Sequence, residues 1–286
     1  MTFQDLHTNF NQHGHAIARS LFTQEETAFY RDHYMTLREN GQYAGDLVNQ
    51  WDDGEQDPLK RYPRMFNMHH WDDVSRGWLL SERIRQCMVA MLGRDPYAIQ
   101  TMLYFKPPGS RGQALHQDQY YLRAAPGTSI AAWMALDAID EANGCLQIVP
   151  ETQELPLICP VEADESESFT TVVVPLPNGL DPIPMRLNPG DVLFFNGQLI
   201  HGSFPNSTTD RFRRSLVGHY IEGHAEQVMA FDHPVLRMDG SVVEEMKASP
   251  SGGECGVWVD RDGEQLVDVS RIYASTSSVE TVPISA

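Results

Sequence analysis

Seven short runs of β-branched, aromatic and aliphatic residues fill residues 97–222, and Gly, Pro, Asn and Asp separate each run from the next. Runs of this length and composition are typical of strands, and no long helical pattern interrupts them. The pattern predicts a mainly β domain built as an antiparallel sandwich or barrel. The runs are YAIQTMLYFKPPG, SIAAWMALDAI, GCLQIVPET, FTTVVVPLP, IPMRLNPGD, VLFFNGQLIHGS and RSLVGHYIEG.

The N-terminal third of the chain has a different, partly helical character. Thr23 followed by Glu26 forms a capping-box pattern, and apolar residues at helical spacing follow it, which predicts a helix over residues 24–40. A second helix is predicted over residues 81–93, where a terminal glycine suits the C-cap. Residues 41–73 between them are rich in Gly, Asp, Pro, Trp and His and are expected to be irregular.

The charge of the chain limits its partners. Its 286 residues include 39 acidic and 21 basic side chains, which gives a formal net charge of −18. This balance argues against nucleic acid and anionic membrane partners, because no excess of positive charge is present to neutralise phosphates. No apolar run approaches the roughly 18 to 20 residues that a membrane-spanning helix needs. The first residues also lack the basic-then-apolar layout of a signal peptide.

The four cysteines, Cys87, Cys145, Cys159 and Cys255, are widely spaced and form no CxxC pair. This spacing indicates neither a zinc cluster nor a disulfide framework. A reducing, cytoplasmic location is therefore expected.

His116 and Asp118 stand two residues apart in the stretch ALHQDQYYL. On a regular strand such residues share a face, so both side chains would point at one spot, and Tyr120 would share it. His201 ends the apolar run VLFFNGQLIH. Two histidines and one carboxylate form the ligand set of non-haem Fe(II) oxygenases, which leaves coordination positions open. The pattern is compatible with an iron site, although on spacing alone hydrogen-bonded core histidines are the more common interpretation.

Arg213 lies further along the chain in DRFRRSLVGHY. An arginine inside a β barrel needs a carboxylate partner, because an unpaired buried guanidinium is costly. A dicarboxylate co-substrate would provide this partner through paired N–H···O bonds. Arg211 and Arg214 are the alternatives for the same role, and strand alternation favours Arg213, with Ser215 on its face.

Taken together, YFKPPGS, HQD, AAWMALD, NGCLQIVPET, PGDVLFFNGQLIHGS and FRRSLVGHY resemble the phytanoyl-CoA dioxygenase family over about residues 97–222, with a weaker likeness over residues 8–40. The resemblance implies a double-stranded β-helix, or jelly roll, with flanking N-terminal helices. It implies a dioxygenase that uses Fe(II), 2-oxoglutarate and O₂ to hydroxylate or otherwise oxidise an unactivated C–H of a small molecule, with release of succinate and CO₂. Asp118 favours hydroxylation over halogenation, since halogenases of this fold lack the carboxylate.

The resemblance also implies roles for single positions. The three candidate ligands match the iron ligands of the family. Arg213 matches the arginine that holds the distal carboxylate of 2-oxoglutarate, and Ser203 matches a serine that often binds the same group. Three further residues are expected to border the co-substrate: Tyr104, Gln100 and Trp133.

In this family the N-terminal segment and the loops at the barrel mouth usually wall the substrate pocket. The candidates here mix cations, aromatic rings and amides, which suit a polar or carboxylated small molecule. Gln153 stands where many relatives have a histidine, which is a departure from the family pattern. The substrate candidates are Tyr120, Arg64, Tyr62, Asn67 and Trp71, together with Trp51, Arg61, Met65, His69, His70 and Tyr121.

One catalytic domain is expected over residues 1–286. Residues 1–96 would line the substrate pocket, residues 97–222 would form the jelly-roll core, and residues 223–286 would form a C-terminal extension. A homodimer is a candidate assembly. Two alternative functions stay open, a non-catalytic jelly-roll binding protein and a zinc hydrolase that uses two histidines and one aspartate. Neither alternative requires Arg213.

Overall fold

The computed structural model describes residues 2–41 and 57–273, so Trp51 and residues 274–286 lie outside the described residues. Both predicted helices are confirmed. The Thr23 side chain caps the first, and Gly93 ends the second in a left-handed conformation with φ 71°. No helix within the described ranges is long and apolar enough to cross a membrane. The helices are α1 (Phe3–His13), α2 (Gln24–Asn40), α3 (Pro58–Arg61), α4 (Asp73–Leu79), α5 (Glu82–Leu92) and α6 (Gln119–Leu122), with 3₁₀ turns at Met68–His70 and Ala230–Asp232.

Two large antiparallel sheets form the centre of the molecule. The first contains, in spatial order, β1 (His15–Ala18), β10 (Val192–Asn196), β5 (Ser129–Ala135), β12 (Ser215–Glu222), β3 (Pro96–Tyr104) and β14 (Leu236–Arg237), with β2 (Met65–Phe66) also paired to β3. The second contains β4 (Gln113–His116), β11 (His201–Ser203), β6 (Leu146–Ile148) and β9 (Ile183–Met185). Three small sheets pair β7 (Val161–Glu162) with β8 (Val172–Val173), β13 (Gln227–Val228) with β15 (Lys247–Ala248), and β16 (Gly253–Arg261) with β17 (Glu264–Tyr273).

The chain crosses repeatedly between the two large sheets. β3, β5, β10 and β12 belong to the first sheet, while β4, β6, β9 and β11 belong to the second. Each step along this series changes sheet, except the step from β6 to β9, which are paired neighbours. This winding is the predicted double-stranded β-helix, and the helices of the N-terminal part flank it.

Both faces of the first sheet are buried, which explains the unbroken apolar runs in the sequence. On β10, Leu193 and Phe195 point toward the second sheet and pack with Trp133, Leu146 and other residues of the inner core. The alternate residues of β10 pack on the opposite face, in a cluster that includes residues from α1, α2, α4 and α5. The helices therefore seal the outer face of the sheet, and the inner face is left to form a site.

The stretch ALHQDQYYL is not the regular strand that its apolar character predicts. β4 ends at His116, and the backbone of Asp118 is helical with φ −59° and ψ −34°. The Asp118 carbonyl accepts backbone hydrogen bonds from Tyr121 and Leu122, which starts α6. The expectation that alternation places Tyr120 on the same face as the ligands is therefore wrong. His116 and Asp118 converge because the chain turns between them.

A disulfide joins Cys159 to Cys255, so the expectation of no disulfide is wrong. The two cysteines are separated by 96 residues, and local spacing therefore carries no sign of the pairing. The β16–β17 hairpin brings them together, and the backbone N–H of Cys159 donates to the Gly256 carbonyl at 2.8 Å. Disulfides persist mainly in oxidising compartments, so the basis for a reducing location is lost.

The chain that follows β12 packs against the end of the first sheet. Val228, Val235 and Met246 form a buried cluster with Ile99 and Ile221 of that sheet. This packing places the 3₁₀ turn at Ala230–Asp232 against β3, where Asp232 accepts a hydrogen bond from Gln100.

Candidate active site

His116 and His201 face each other across two paired strands. The antiparallel register of β4 and β11 sets His201 directly opposite His116, and the centroids of their rings lie 4.1 Å apart. Asp118 Oδ1 lies 3.5 Å from His116 Nε2 and 3.6 Å from His201 Nε2. One ligand atom from each residue lies within 4.8 Å of the others, which is close enough for all three to bind one metal ion.

Hydrogen bonds hold both imidazoles with Nε2 directed at this point. His116 Nδ1 lies 2.9 Å from the Ala114 carbonyl oxygen, and His201 Nδ1 lies 3.0 Å from the Leu199 carbonyl oxygen. A carbonyl oxygen only accepts, so Nδ1 carries the hydrogen and Nε2 keeps a lone pair, as is usual for metal-binding histidines. Burial and the nearby His116 lower the pKa of His201 to about 4, which keeps this imidazole neutral near pH 7.

Asp118 is held as a carboxylate. Burial by itself would raise its pKa, but the neighbouring imidazoles of His201, His116 and His219 hold the pKa well below its usual range. Oδ1 is directed at the two ligand histidines, while Oδ2 lies 3.4 Å from His219 Nε2. Two neutral imidazoles and one carboxylate suit Fe(II), although zinc sites use the same ligand types.

Arg213 lies in the same pocket and is 2% exposed. Its Nε donates to the Gly144 carbonyl and one Nη donates to Ser215 Oγ, each at 3.0 Å. Its guanidinium carbon lies 5.3 Å from the Trp133 ring and 5.8 Å from the Tyr104 ring. Burial lowers the pKa of Arg213 to about 10, so the side chain stays charged at neutral pH. Among the described residues, no carboxylate forms an ion pair with it.

The neighbouring arginines point elsewhere. Arg211 pairs with Asp140 at 2.7 Å, and Arg214 pairs with Asp137 at 2.7 Å. Both of these guanidinium groups are therefore neutralised outside the pocket. Of the three arginines, only Arg213 presents its charge to the candidate iron site.

The pocket lies between the two large sheets, and its walls enclose about 340 Å³ of atom-free space, part of it open to solvent. Five aromatic and aliphatic side chains form one part of its wall, and six polar side chains, which include the three candidate ligands and Arg213, form the rest. The residues that line it are Tyr104, Gln113, His116, Asp118, Trp133, Leu146, Phe195, His201, Arg213, Val217 and His219.

Four other residues were expected at the co-substrate. Tyr104 and Trp133 line the pocket beside Arg213. Ser203 and Gln100 are buried outside its wall. The Ser203 hydroxyl accepts a hydrogen bond from Lys106 Nζ at 3.0 Å, and the Gln100 amide donates to Asp232 at 2.8 Å.

Lys106 is a buried cation that the sequence interpretation missed. It is 3% exposed, and its Nζ donates to Ser203 Oγ and to the Arg111 carbonyl. Burial and the nearby charge of Arg213 lower its pKa well below the usual range. The run YFKPPGS was part of the family resemblance, but nothing in its spacing indicates that the lysine turns inward.

His219 was also missed, although a signal was present. Strand alternation placed Arg213, Ser215 and Val217 on one face, and His219 is the next residue in that series. The structure confirms this extension of the pattern, since His219 lines the pocket and contacts Asp118.

The substrate candidates divide into two groups. The Arg64 guanidinium lies 5.7 Å from the ring of Tyr104, which lines the pocket, and 4.9 Å from the ring of Phe169. Tyr62, Asn67 and Trp71 do not line the pocket. Tyr62 packs on Phe105 and Phe212, Asn67 donates to the Phe231 carbonyl, and Trp71 packs against the helix-covered core.

Two adjacent tyrosines border the histidine side of the site. Tyr121 has its ring centroid 6.2 Å from that of His116 and is 42% exposed, and its partial burial together with Asp118 raises its pKa. Tyr120 and Tyr121 both line a neighbouring pocket, together with His116, Gln117 and Ile158. Tyr121 is therefore the tyrosine whose ring contacts the candidate ligand His116, whereas strand alternation had predicted Tyr120 for this place.

Gln153 faces the N-terminal helix. It is buried, and its amide donates to the Gln12 carbonyl at 3.3 Å. The residue that departs from the family pattern thus joins α1 to the loop that follows β6.

Comparison with known proteins identifies the family of the chain. The family model described as phytanoyl-CoA dioxygenase matches residues 10–215, so the chain belongs to that family. A rice protein named phytanoyl-CoA dioxygenase 1 is 28% identical over 140 residues, which cover 49% of this chain and 50% of the relative. The peroxisomal phytanoyl-CoA dioxygenase of cattle is 32% identical over 145 residues, covering 48% and 42%. The chain thus spans about half the length of these curated relatives.

Solved structures share the fold at lower identity. The epimerase SnoN of nogalamycin biosynthesis, solved with Fe³⁺, α-ketoglutarate and nogalamycin RO, matches with a TM-score of 0.59 and 19% identity. The match covers 78% of this chain and 85% of SnoN. At this identity the likeness confirms the double-stranded β-helix.

Proposed function

We propose that this protein is an Fe(II)- and 2-oxoglutarate-dependent dioxygenase that oxidises an unactivated C–H bond of a small molecule. The observation that carries the proposal is the convergence of His116, Asp118, His201 and Arg213 in one buried pocket. The histidine and aspartate side chains would hold iron, and Arg213 would bind the distal carboxylate of 2-oxoglutarate. When bound, iron with 2-oxoglutarate and O₂ supplies the oxidising power, and the reaction releases succinate and CO₂.

The surroundings of Arg213 suit an elongated dianion. The guanidinium is charged, buried and without a carboxylate partner among the described residues, so an incoming carboxylate would relieve a costly state. The rings of Trp133 and Tyr104 both lie within 6 Å of the guanidinium carbon and would confine the carbon chain of 2-oxoglutarate. Ser203 and Gln100 would support this site from outside its wall, through Lys106 and Asp232.

Positive charge at Arg64 supports a substrate with an anionic group. No carboxylate among the described residues lies within 4.0 Å of this guanidinium, and the rings of Phe66, Tyr104 and Phe169 surround it. Stacked rings leave the N–H edge of a guanidinium available for hydrogen bonds. We therefore assign Arg64 and Tyr121 to substrate contact. Tyr120, Tyr62, Asn67 and Trp71 would act by shaping the surrounding loops.

The domain assignment follows the same division. Residues 1–96 would form the cover of the first sheet and one wall of the substrate pocket, residues 97–222 the catalytic core, and residues 223–286 an extension behind it. The burial of α1, α2, α4 and α5 against the sheet supports one catalytic unit. A homodimer stays a prediction, which light scattering on the purified chain tests. The cytoplasmic prediction is weakened by the Cys159–Cys255 bond.

Succinate formation tests the proposed activity. The purified chain is incubated with 2-oxoglutarate, Fe(II), ascorbate and a panel of small molecules weighted toward carboxylates and phosphonates, with and without O₂. An oxygenase gives O₂-dependent succinate that rises with one class of substrate. A zinc hydrolase gives an O₂-independent product and no succinate, and a binding protein gives neither. Absence of O₂-dependent succinate from iron-loaded protein over the whole panel would contradict the proposal.

A further inference from the structure

His219 is a buried residue whose role is not assigned by the metal or co-substrate proposals. It lies on β12, is 5% exposed and lines the pocket. Its Nε2 lies 3.4 Å from Asp118 Oδ2, and its Nδ1 has no hydrogen-bond partner in the described part of the chain. Within the described part of the chain, the contact with Asp118 is therefore the one polar contact of the His219 side chain.

The two oxygens of Asp118 have different neighbours. Oδ1 is directed at His116 Nε2 and His201 Nε2, the atoms that would bind the metal. Oδ2 is directed away from them at His219 Nε2. A carboxylate oxygen accepts hydrogen bonds, so Nε2 of His219 carries the hydrogen of this contact.

The backbone around Asp118 gives its side chain little restraint. β4 ends at His116, so the strand ladder does not extend to Asp118, and its backbone already belongs to the turn that starts α6. The terminal torsion of an aspartate is broad, so the carboxylate plane rotates easily unless a partner holds it. A carboxylate with both oxygens free is also able to bind a metal in bidentate fashion, which would consume an open coordination position.

We propose that His219 is a positioning residue that donates its Nε2 hydrogen to Asp118 Oδ2 and so restricts Asp118 to metal binding through Oδ1 alone. The proposal rests on the proposed metal site and goes beyond it. His219 does not touch the metal or the co-substrate in this role. It raises metal affinity by orienting a ligand, and it keeps a coordination position open for 2-oxoglutarate and O₂.

The neighbours of His219 favour this role over a simple core residue. In the strand register, Gln100 of β3 lies opposite His219, yet the Gln100 side chain is directed to Asp232. Among the described residues, Asp118 is thus the one whose polar group contacts the His219 imidazole. A side chain retained only for packing would not need a polar ring here, since burial of the unpaired Nδ1 is unfavourable and an apolar side chain would avoid that cost.

Cobalt(II) titration of the metal-free protein tests the proposal without measuring activity. His219→Leu removes the donor, and His219→Gln keeps an N–H at nearly the same reach. The matched control is His224→Leu, which removes a partly exposed histidine 3.5 Å from Glu222. Loss of a group that orients a metal ligand typically weakens binding about 10- to 100-fold. We expect this loss for His219→Leu, near wild-type affinity for His219→Gln, and no change for His224→Leu.

The visible absorption of the bound Co(II) is the second readout. A change from monodentate to bidentate Asp118 alters the coordination number, and therefore the intensity of the d–d bands, in His219→Leu but not in His219→Gln. Equal affinity and equal spectra for wild type and folded His219→Leu would overturn the proposal. So would a His219→Gln variant as weak as His219→Leu.

If His219→Leu does not fold, the proposal is tested on the wild-type protein by NMR of its histidine side chains. With ¹⁵N-labelled histidine and Zn(II), the His219 resonance, assigned by its absence in His219→Gln, is expected to show a protonated Nε2 and an unprotonated Nδ1. An unprotonated Nε2 would overturn the proposal. Failure of the metal site itself is distinguishable, because wild type and Asp118→Ala would then bind Co(II) equally poorly.

Discussion

The guanidinium carbon of Arg213 lies 5.3 Å from the centre of the Trp133 ring, deep in the pocket that holds the candidate ligands. The first prediction follows from this position. Arg213→Leu is expected to weaken 2-oxoglutarate binding by about 2 to 5 kcal/mol, the usual penalty for truncating one member of a buried charge pair. Arg213→Lys is expected to recover part of the loss, because lysine keeps the charge but not the paired geometry.

Calorimetric titration with 2-oxoglutarate under anaerobic conditions measures these affinities. Arg211→Leu is the matched control, since Arg211 is two residues away and pairs with Asp140 outside the pocket. Equal losses in the Leu variants of Arg211 and Arg213 would show that the register is assigned wrongly.

Asp118→Ala is the second prediction and tests the metal site. Removal of the one carboxylate ligand is expected to lower Fe(II) affinity by more than the about 10- to 100-fold loss that follows removal of an orienting neighbour. Succinate formation should fall with it. Equilibrium dialysis with iron analysis measures the affinity, and Asp140→Ala is the control. Unchanged iron binding in Asp118→Ala would exclude this aspartate as a ligand.

The third prediction concerns pH. Burial raises the pKa of Asp232 to about 7, while the unfolded chain has an ordinary value near 4. Between these values the folded state holds a proton that the unfolded state releases. The free energy of unfolding contributed by Asp232 therefore falls as pH rises from about 4 to 7, by at most about 1.4 kcal/mol per pH unit.

Asp232→Asn removes this titration and still accepts the hydrogen bond from Gln100. Urea unfolding at pH 5 and pH 8 should show a smaller loss of stability for Asp232→Asn than for wild type. The exposed Asp181→Asn serves as control and should follow wild type. A variant as sensitive to this pH change as wild type would contradict the assignment.

The fourth prediction concerns the disulfide. Replacing Cys159 and Cys255 by serine is expected to lower the free energy of unfolding by about 2 to 5 kcal/mol, because the bond closes a long loop. Thermal unfolding measures the effect. A dithiol should lower the melting temperature of wild type and leave the double variant unchanged, which separates loss of the bond from loss of side-chain packing.

The jelly roll was predictable because the central strands of its first sheet, β3, β5, β10 and β12, are buried on both faces. Such burial produces unbroken apolar runs like VLFF, which are not expected in a loop or in a helix with one face in solvent. The candidate ligands His116 and His201 were predictable for a related reason, since a polar residue that ends or interrupts such a run needs a partner inside the barrel.

Features that depend on distant parts of the chain were not predictable. Cys159 and Cys255 meet only because the β16–β17 hairpin folds back across 96 residues. The helical backbone at Asp118 depends on hydrogen bonds that include one from Gln119 to the Gly197 carbonyl, on a loop far along the chain. Lys106 is buried by its contacts with Ser203 and with the Arg111 carbonyl, which local sequence does not record.

The same cross-link determines how the protein should be handled. Gln117, between two candidate ligands, accepts a hydrogen bond from the Ile158 backbone, and Ile158 is followed directly by Cys159. Thiol reductants, a common means of keeping iron ferrous, attack disulfides through thiolate exchange and would remove the covalent link between this loop and the hairpin, leaving only the backbone hydrogen bonds that Leu157 and Cys159 form with Gly256. Ascorbate maintains Fe(II) without thiol exchange. The choice of reductant is therefore expected to decide whether a preparation keeps the cross-link beside its ligand-bearing turn.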